Sequence, residues 1–166
     1  MENYEHVTHG FAPVYDENSE VLILGSFPSV KSREGSFYYH HKQNRFWRLL
    51  AELTNDKIPE TVDDKKKLIL KNHLALWDVI ESCDIIGSSD ASIKNVCVTD
   101  IRKIIGSCRI KRIILNGKAA GRLFEKYQLS MLENIDYVIL PSTSPANAAC
   151  SFEQLMAEWG KYLGKC

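Results

Sequence analysis

The residues Val21-Leu22-Ile23-Leu24-Gly25 form a short apolar run that a glycine ends. Such an unbroken run is typical of a strand buried on both faces, as in a parallel sheet. Three further runs of this kind are found at residues 74–77, 110–115 and 136–140. Helical periodicity predicts helices at residues 44–54, 60–72, 100–107, 118–127 and 152–163. This alternation predicts an α/β fold with three layers, α/β/α, around a central, mostly parallel four-stranded sheet.

The segments between these elements carry no regular pattern. Residues 1–20 are polar, with an apolar patch at Phe11 and 13–15, and we expect them to pack as an irregular arm. Residues 26–43 form a loop that is long for a compact domain, and long loops are usually functional or disordered. Residues 84–95 also have the composition of a loop. We find no repeat and no linker, and therefore expect one domain over the whole chain.

Composition excludes several classes of protein. Lys and Arg number 21, as do Asp and Glu, so the net charge is zero and the protein does not grip a polyanion by bulk charge, although a local basic surface is not excluded. The 5 cysteines include no close pair, which argues against a zinc or iron–sulfur site. We expect reduced, mostly buried thiols, no metal and no cofactor. Because there is no long apolar run and no basic, apolar leader, we expect no membrane contact and a cytoplasmic location.

In a parallel α/β sheet the ligand site lies at the carboxyl ends of the strands. Here those ends offer Ser26, Phe27, Asp78, Asn116 and residues 141–144. The sequence has no nucleophile elbow, Walker A motif or dinucleotide-binding motif. A set of amides, hydroxyls, aromatics and one carboxylate suits a flat, neutral ligand that is stacked and hydrogen-bonded, such as a nucleobase.

Each candidate residue also has an ordinary structural interpretation. The aromatic residues 37–39 can pack in the core beneath the long loop. Asn44 can cap the helix that follows it, and Asn116 can be a turn residue before a glycine. Asp78 can cap local backbone, and residues 142–144 can form a plain turn. Their joint placement around the strand ends favours a ligand site.

Three blocks of sequence carry a family resemblance: residues 22–29 (LILGSFPS), 37–47 (FYYHHKQNRFW) and 140–147 (LPSTSPAN). They resemble the uracil-DNA glycosylase superfamily, and most closely its hypoxanthine-DNA glycosylase branch. The middle block is also similar to the corresponding stretch of mismatch-specific uracil glycosylases. Residues 76–79 and 115–117 fit as well, so order and spacing match from about residue 9 to residue 163.

Three positions depart from the family's pattern. Most members have a polar residue that positions the attacking water where this chain has Phe27, and in the hypoxanthine branch that role moves to the asparagine of the second block, here Asn44. Lys42 replaces a proline, which lowers the expected rigidity of the loop. Ala146 stands where relatives often have a leucine that fills the gap left by a flipped base, so a weak wedge is expected, or one supplied by Asn147 or another loop.

The resemblance implies a monofunctional DNA glycosylase of base excision repair. Such an enzyme flips a deaminated base, here hypoxanthine from deoxyinosine, out of the duplex and hydrolyses its N-glycosidic bond, leaving an abasic site. Its partner is DNA that contains deaminated bases. No step requires a metal or a cofactor, and we expect a monomer.

The resemblance also implies roles for individual residues. Asn44 would hold the water below the sugar. Tyr39, with Phe27 or Phe37, would stack on the base. The other expected substrate-binding residues are two readers of the base edge, Asp78 and Asn116, and three residues of the third block, Ser142, Ser144 and Asn147. The residues expected to contact the DNA backbone are Ser29, Lys31, Arg33, Lys42, Arg45 and Lys118.

Two alternatives remain open on the sequence alone. The first is the same chemistry on uracil, as in a mismatch-type glycosylase. The second is a nucleotide- or DNA-binding module without catalysis. The presence of Asn44 in an otherwise intact second block argues against the second alternative.

Overall fold

A computed structural model describes residues 3–163, and their strands form two sheets. The strands are β1 (Glu5–Thr8), β2 (Val21–Gly25), β3 (Leu74–Asp78), β4 (Ile80–Ile85), β5 (Lys94–Val98), β6 (Arg112–Asn116) and β7 (Asp136–Leu140). The helices are α1 (Val30–Gly35), α2 (Phe46–Thr54), α3 (Val62–Lys71), α4 (Arg102–Ile105), α5 (Lys118–Tyr127) and α6 (Phe152–Leu163). Short 3-10 turns lie at Asp90–Ser92 and Leu129–Met131.

Four strands form a parallel sheet in the order β3-β2-β6-β7, which confirms the predicted α/β fold. The inner strand β2 buries residues 22–24 completely, as expected for a strand with both faces covered. The register pairs Gly25 with Asp78, and Asn116 with Leu140. The polar residues that end these strands therefore meet at one edge of the sheet.

The predicted helices are present, three of them shorter than expected, and α3 loses two residues at its start and one at its end. α2 begins at Phe46 rather than at residue 44. α4 is a single turn rather than a helix over 100–107, and Gly106, a poor helix former, follows it. α2 packs against α6, where the rings of Phe46 and Trp159 meet edge to face with centroids 6.2 Å apart.

The sequence pattern does not predict the second sheet. β1, β4 and β5 pair antiparallel in the order β1-β4-β5, so strands occupy part of the expected irregular arm and both ends of the expected loop at 84–95. β1 and β5 are mostly exposed or half-buried, so neither has the apolar run that marks a buried strand. The long loop at 26–43 likewise contains the short helix α1, which Ser29 caps by accepting a hydrogen bond from the backbone N–H of Ser32.

The cysteines depart from expectation. Cys83 is buried, Cys97 is exposed, and Cys108 and Cys150 are partly buried, all with free thiols. Cys166 lies outside the described residues. The expectation of mostly buried thiols is therefore wrong, because among the described cysteines Cys83 alone packs into the core.

Candidate active site

A pocket opens at the carboxyl edge of the parallel sheet, beside the ends of β2, β3 and β6. Of the residues predicted to act on the substrate, those that line it are Phe27, Tyr39, Asn44, Asp78, Asn116, Ser142 and Ser144. Ser29, predicted to contact DNA, also lines the pocket. The structure therefore brings together residues from all three sequence blocks and from two further strand ends.

Thr143 links the two asparagines of the pocket. Its Oγ1 donates a hydrogen bond to Asn44 Oδ1 at 2.9 Å and accepts one from Asn116 Nδ2 at 3.1 Å. Its backbone N–H donates to Asn116 Oδ1 at 3.0 Å. Because Thr143 and Asn116 are both buried, these bonds are sheltered from water and hold the three side chains as one polar unit.

Asn44 lines the pocket and also bonds the start of α2 from one position before the N-cap residue, Arg45, whose own side chain makes no capping hydrogen bond. Asn44 Oδ1 accepts a second hydrogen bond, from the backbone N–H of Phe46 at 3.0 Å, at the start of α2. Its Nδ2 makes no hydrogen bond within residues 3–163. The carbonyl side of the amide is thus used by the protein, and the amino group is free to bind a water or a substrate atom.

Asp78 ends β3 with only 4% of its surface exposed. His9 Nε2 lies 2.8 Å from Asp78 Oδ2, and the imidazole N–H donates because a carboxylate only accepts. The other oxygen, Oδ1, lies over Gly25, where an added Cβ would come within 2.5 Å of Oδ1 and 3.1 Å of Tyr39 Oη. A side chain at position 25 would displace one of these groups, which explains why the strand ends in glycine.

Tyr39 faces the pocket from a left-handed backbone conformation with a φ of 52°, which is uncommon for an aromatic residue. Its ring packs on Phe46 with centroids 4.2 Å apart. Its Oη is buried and has no hydrogen-bond partner in the described part of the chain. Burial and the negative charge of Asp78 raise the pKa of Tyr39, against a smaller lowering by the nearby side-chain amide of Asn116, which lies outside hydrogen-bond geometry, so the phenol remains protonated and able to donate.

The two candidate stacking phenylalanines have different positions. Phe27 lines the pocket. Phe37 is buried in the core, where its ring stacks on Trp47 at 6.1 Å with an interplanar angle of 18°, and it does not reach the pocket. The prediction that Phe37 stacks on the base is therefore not supported, and the core-packing interpretation applies to this residue.

The third block forms the opposite wall through an internally bonded turn. Ser142 Oγ accepts from the backbone N–H of Ser144 at 3.1 Å, and Asn147 Nδ2 donates to the Ser142 carbonyl at 3.0 Å. Asn147 does not line the pocket but lies on an adjoining surface depression that also includes Lys118 and Ala146. Its hydrogen bond shapes the turn, and its predicted contact with the substrate, or role as the wedge, stays a prediction.

Arg45 differs most from its predicted role. Its guanidinium donates to the backbone carbonyls of Thr143, Ser144, Asn147 and Cys150, two of them at 3.1 Å. A guanidinium has five N–H donors and these contacts use three of its nitrogens, so little is left for a phosphate. Arg45 therefore anchors the third block, and its predicted contact with the DNA backbone stays a prediction.

The other four cationic residues that were predicted to contact DNA fall into two groups. Lys31 pairs with Glu34 at 3.4 Å, and Arg33 donates to the Gly87 carbonyl at 2.8 Å, so both already have local partners. Lys42 and Lys118 are exposed and make no ion pair within residues 3–163. These two lysines are the predicted DNA contacts that remain free in the structure.

Some pocket residues carry no pattern that would have identified them. Asp90 lines the pocket from the connection between β4 and β5, where its Oδ1 accepts from Ser26 Oγ at 2.8 Å. His9 lies behind Asp78 and comes from the expected irregular arm. Phe11, also on the pocket, belongs to the apolar patch of that arm, which was the only indication that the arm packs inward.

The described ranges contain no group of three or more His, Cys, Asp or Glu side chains placed to hold a metal ion. Within the same residues, no helix has both the length and the apolar character that crossing a membrane requires.

The chain is similar to known DNA glycosylases. The family model of the uracil DNA glycosylase superfamily matches residues 12–163. A protein of Methanosarcina acetivorans named hypoxanthine DNA glycosylase is 34% identical over 159 residues, which cover 92% of this chain and 96% of that protein. A protein of Methanosarcina barkeri with the same name is 33% identical over 140 residues, which cover 83% of this chain and 87% of that protein.

A solved structure shares the fold. It is a solution NMR structure from Methanosarcina acetivorans, provisionally named a uracil DNA glycosylase, with a TM-score of 0.80 and 32% identity over 93% of this chain and 94% of that one. These matches confirm the resemblance drawn from the three sequence blocks. Because the matched region takes in all three blocks around the pocket, this chain belongs to the uracil DNA glycosylase superfamily.

Proposed function

We propose that this protein is a DNA glycosylase that excises hypoxanthine from deoxyinosine and leaves an abasic site. The observation that carries the proposal is one pocket that holds two carboxylates, two hydrogen-bonded asparagines and a buried phenol. The names of the two archaeal relatives support hypoxanthine as the base.

Base recognition follows from the free atoms of the pocket. Hypoxanthine presents an N1–H donor beside an O6 acceptor. Asp78 Oδ1 can accept the N1–H, and the second N–H of Asn116 Nδ2 can donate to O6 or N7. Adenine reverses both groups on that edge, so it would place its amino group and bare N1 against the wrong partners.

Aromatic residues would hold the flipped base. Tyr39 and Phe27 both line the pocket, and base–aromatic stacking is worth about 1–3 kcal/mol per base. Tyr39 is held against Phe46, so its ring does not have to be ordered when the base enters. The Tyr39 hydroxyl, unpartnered in the described residues, would gain a hydrogen-bond partner on binding.

The chemical step needs a placed water and a stabilised leaving group. The C1′–N9 bond breaks, the sugar gains oxocarbenium character, and the base takes the bonding electrons and then a proton. Water adds to C1′ and releases its own proton. Asn44 Nδ2 would orient that water, while the amide of Asn116 and the phenol of Tyr39 would stabilise the charge on the base.

DNA would lie across the mouth of the pocket. Lys42 and Lys118 can contact phosphates, and Ser142 and Ser144 lie where the flanking strand would pass. Ala146 is exposed at the tip of the third block, and its short side chain fills little of the space left by a flipped base. We therefore expect extrusion to favour bases that are already weakly paired.

The test is a strand-cleavage assay. A labelled duplex with a single deoxyinosine is incubated with the protein and then treated with alkali, which cuts at an abasic site. Parallel duplexes carry deoxyuridine or deoxyadenosine at the same position, and Asn44→Ala, purified identically, controls for contaminating glycosylases. Cleavage at inosine that exceeds cleavage at uracil supports the proposal. Preferred cleavage at uracil, or tight binding of inosine DNA without an abasic product, would overturn it.

A further inference from the structure

A histidine from the N-terminal arm is buried behind the base-reading carboxylate. His9 directly follows β1, and its backbone N–H donates to the Glu81 carbonyl at 2.6 Å, which extends the β1–β4 pairing by one residue. Its side chain is 1% exposed. The small antiparallel sheet therefore delivers an imidazole to the back of the pocket.

The surroundings of the ring leave it one polar partner. Aromatic rings pack around the imidazole, with Phe11 at 4.6 Å, Tyr38 at 5.9 Å and Phe27 at 6.3 Å between centroids. Nε2 bonds Asp78 Oδ2 at 2.8 Å, while Nδ1 is buried and has no partner in the described part of the chain. The Asp78 contact thus sets the orientation of the ring.

This contact also determines how Asp78 meets a ligand. With Oδ2 accepting from His9, the carboxylate presents Oδ1 toward Gly25 and the pocket. We propose that His9 is a positioning residue for base selection: it holds Asp78 as a hydrogen-bond acceptor, so that the pocket prefers a base edge with a ring N–H over the adenine edge. The inference rests on the proposed function, because it concerns the same pocket.

Loss of the imidazole would change what Asp78 offers. Without a donor at Oδ2, the contact that fixes the rotation of the Asp78 carboxyl group is lost, so Oδ1 is no longer held toward the pocket as an acceptor for a ring N–H. Removing His9 should therefore weaken hypoxanthine recognition and relax the discrimination against adenine, rather than weaken both equally.

The test measures a ratio of affinities. Duplexes carry either 2′-fluoroarabino-inosine or 2′-fluoroarabino-adenosine at one position, because the fluorine prevents cleavage and allows dissociation constants to be measured. In His9→Phe, which keeps an aromatic ring but no donor, we expect the inosine-to-adenosine preference to fall by about 10-fold. His9→Gln, whose amide reaches the position of Nε2, should keep the preference within about 3-fold, while the shorter His9→Asn should not.

A matched control lies in β1, the strand that directly precedes His9. His6 lies in β1 and also pairs with an aspartate, Asp84, at 2.8 Å, but its side chain is 65% exposed. His6→Phe should leave the preference unchanged. If His9 served only to stabilise the fold, His9→Phe would lower both affinities and the melting temperature together and leave their ratio unchanged. An unchanged inosine-to-adenosine ratio in His9→Phe would overturn the inference.

Two further outcomes are informative. If His9→Phe does not fold, the comparison of His9→Gln with His9→Asn decides, and equal ratios in these two variants would overturn the inference. If the unmodified protein cleaves no inosine duplex, the proposed function fails whatever the ratios show. If the unmodified protein cleaves the inosine duplex but the His9 variants keep its ratio of affinities, the inference fails and the proposed function stands.

Discussion

Asn44 combines two roles in one side chain, since its Oδ1 caps the start of α2 and accepts from Thr143 while its Nδ2 stays free. The cap and the proposed water site therefore make different predictions for the same substitutions. Loss of the cap affects stability, whereas loss of the water contact affects the transition state.

We expect Asn44→Ala to lower the single-turnover cleavage rate by roughly 100-fold or more, because orienting a nucleophile is worth several kcal/mol. Binding to inosine DNA should change little. The Ala variant should also lose about 1 kcal/mol of folding stability with the cap. Asn44→Asp keeps the oxygen that caps the helix and can accept from water, so it should retain part of the activity. Rates and melting temperatures of both variants test this, and a normal rate for Asn44→Ala would remove the proposed role.

Tyr39→Phe isolates the unpartnered hydroxyl. The deleted oxygen is buried without a partner within residues 3–163, so the melting temperature should stay the same or rise. The cleavage rate on an inosine duplex should fall by about 10-fold, because the leaving base loses one donor. An unchanged rate together with a raised melting temperature would mean that Oη does not contact the substrate.

Asn116→Ala should affect both activity and stability. The loss of a base contact should slow cleavage by about 5- to 150-fold. A strand-end asparagine is expected from sequence to be dispensable for folding, but Asn116 is buried and makes two hydrogen bonds to Thr143. We therefore also expect a loss of about 1–3 kcal/mol in the free energy of unfolding, measured by denaturant titration. Wild-type activity in this variant would show that Asn116 only shapes the turn.

At the scale of elements, the pocket depends on contacts between segments that are distant in sequence. The third block has little regular structure of its own, and Arg45, just before α2, bonds three of its carbonyls and the carbonyl of Cys150 beyond it. The second sheet holds His9 against the end of β3 in a similar way. The parallel sheet supplies the floor of the site, and these two attachments position its walls.

Arg45→Lys tests the anchor. A lysine presents three donors from one nitrogen and cannot reach four carbonyls, so we expect a loss of about 2 kcal/mol in stability and slower cleavage. Arg102→Lys, at an exposed arginine that pairs with Asp100, is the control and should change neither. A variant of normal stability whose DNA binding shows a shallower salt dependence would instead restore the predicted phosphate contact.

At the scale of the whole molecule, charge limits how the protein holds DNA. The net charge is zero, and within residues 3–163 Lys42 and Lys118 make no ion pair while Lys31, Arg33 and Arg45 have protein partners. Affinity should therefore come from the flipped base and a few phosphates rather than from a broad basic surface.

A salt titration measures this. If about 3–5 phosphates are neutralised, the logarithm of affinity for inosine DNA should fall against the logarithm of salt concentration with a slope of roughly −3 to −5. A slope near −10 would reveal a large basic surface, and a flat plot would argue against DNA as the partner.

The sequence by itself determined the parallel sheet and the location of the site. Runs such as residues 21–25 are apolar because both faces of the strand are covered. The sequence shows this requirement directly, without knowledge of which elements pack against the strand. The polar residues that stop the runs, Asp78 and Asn116 among them, then had to share one edge. The resemblance of the three sequence blocks to a known family added Asn44 as the candidate for holding the water.

Only the tertiary structure decided which polar groups meet. Phe37 and Tyr39 are two residues apart, yet one packs in the core and the other faces the pocket. His9 reaches Asp78 across 69 residues, and Arg45 reaches the third block across about 100. Periodicity records whether a residue is buried but not which distant group it bonds, because hydrogen bonds between loops are set by how the elements pack. The contacts of Arg45 and His9 therefore became visible only in three dimensions.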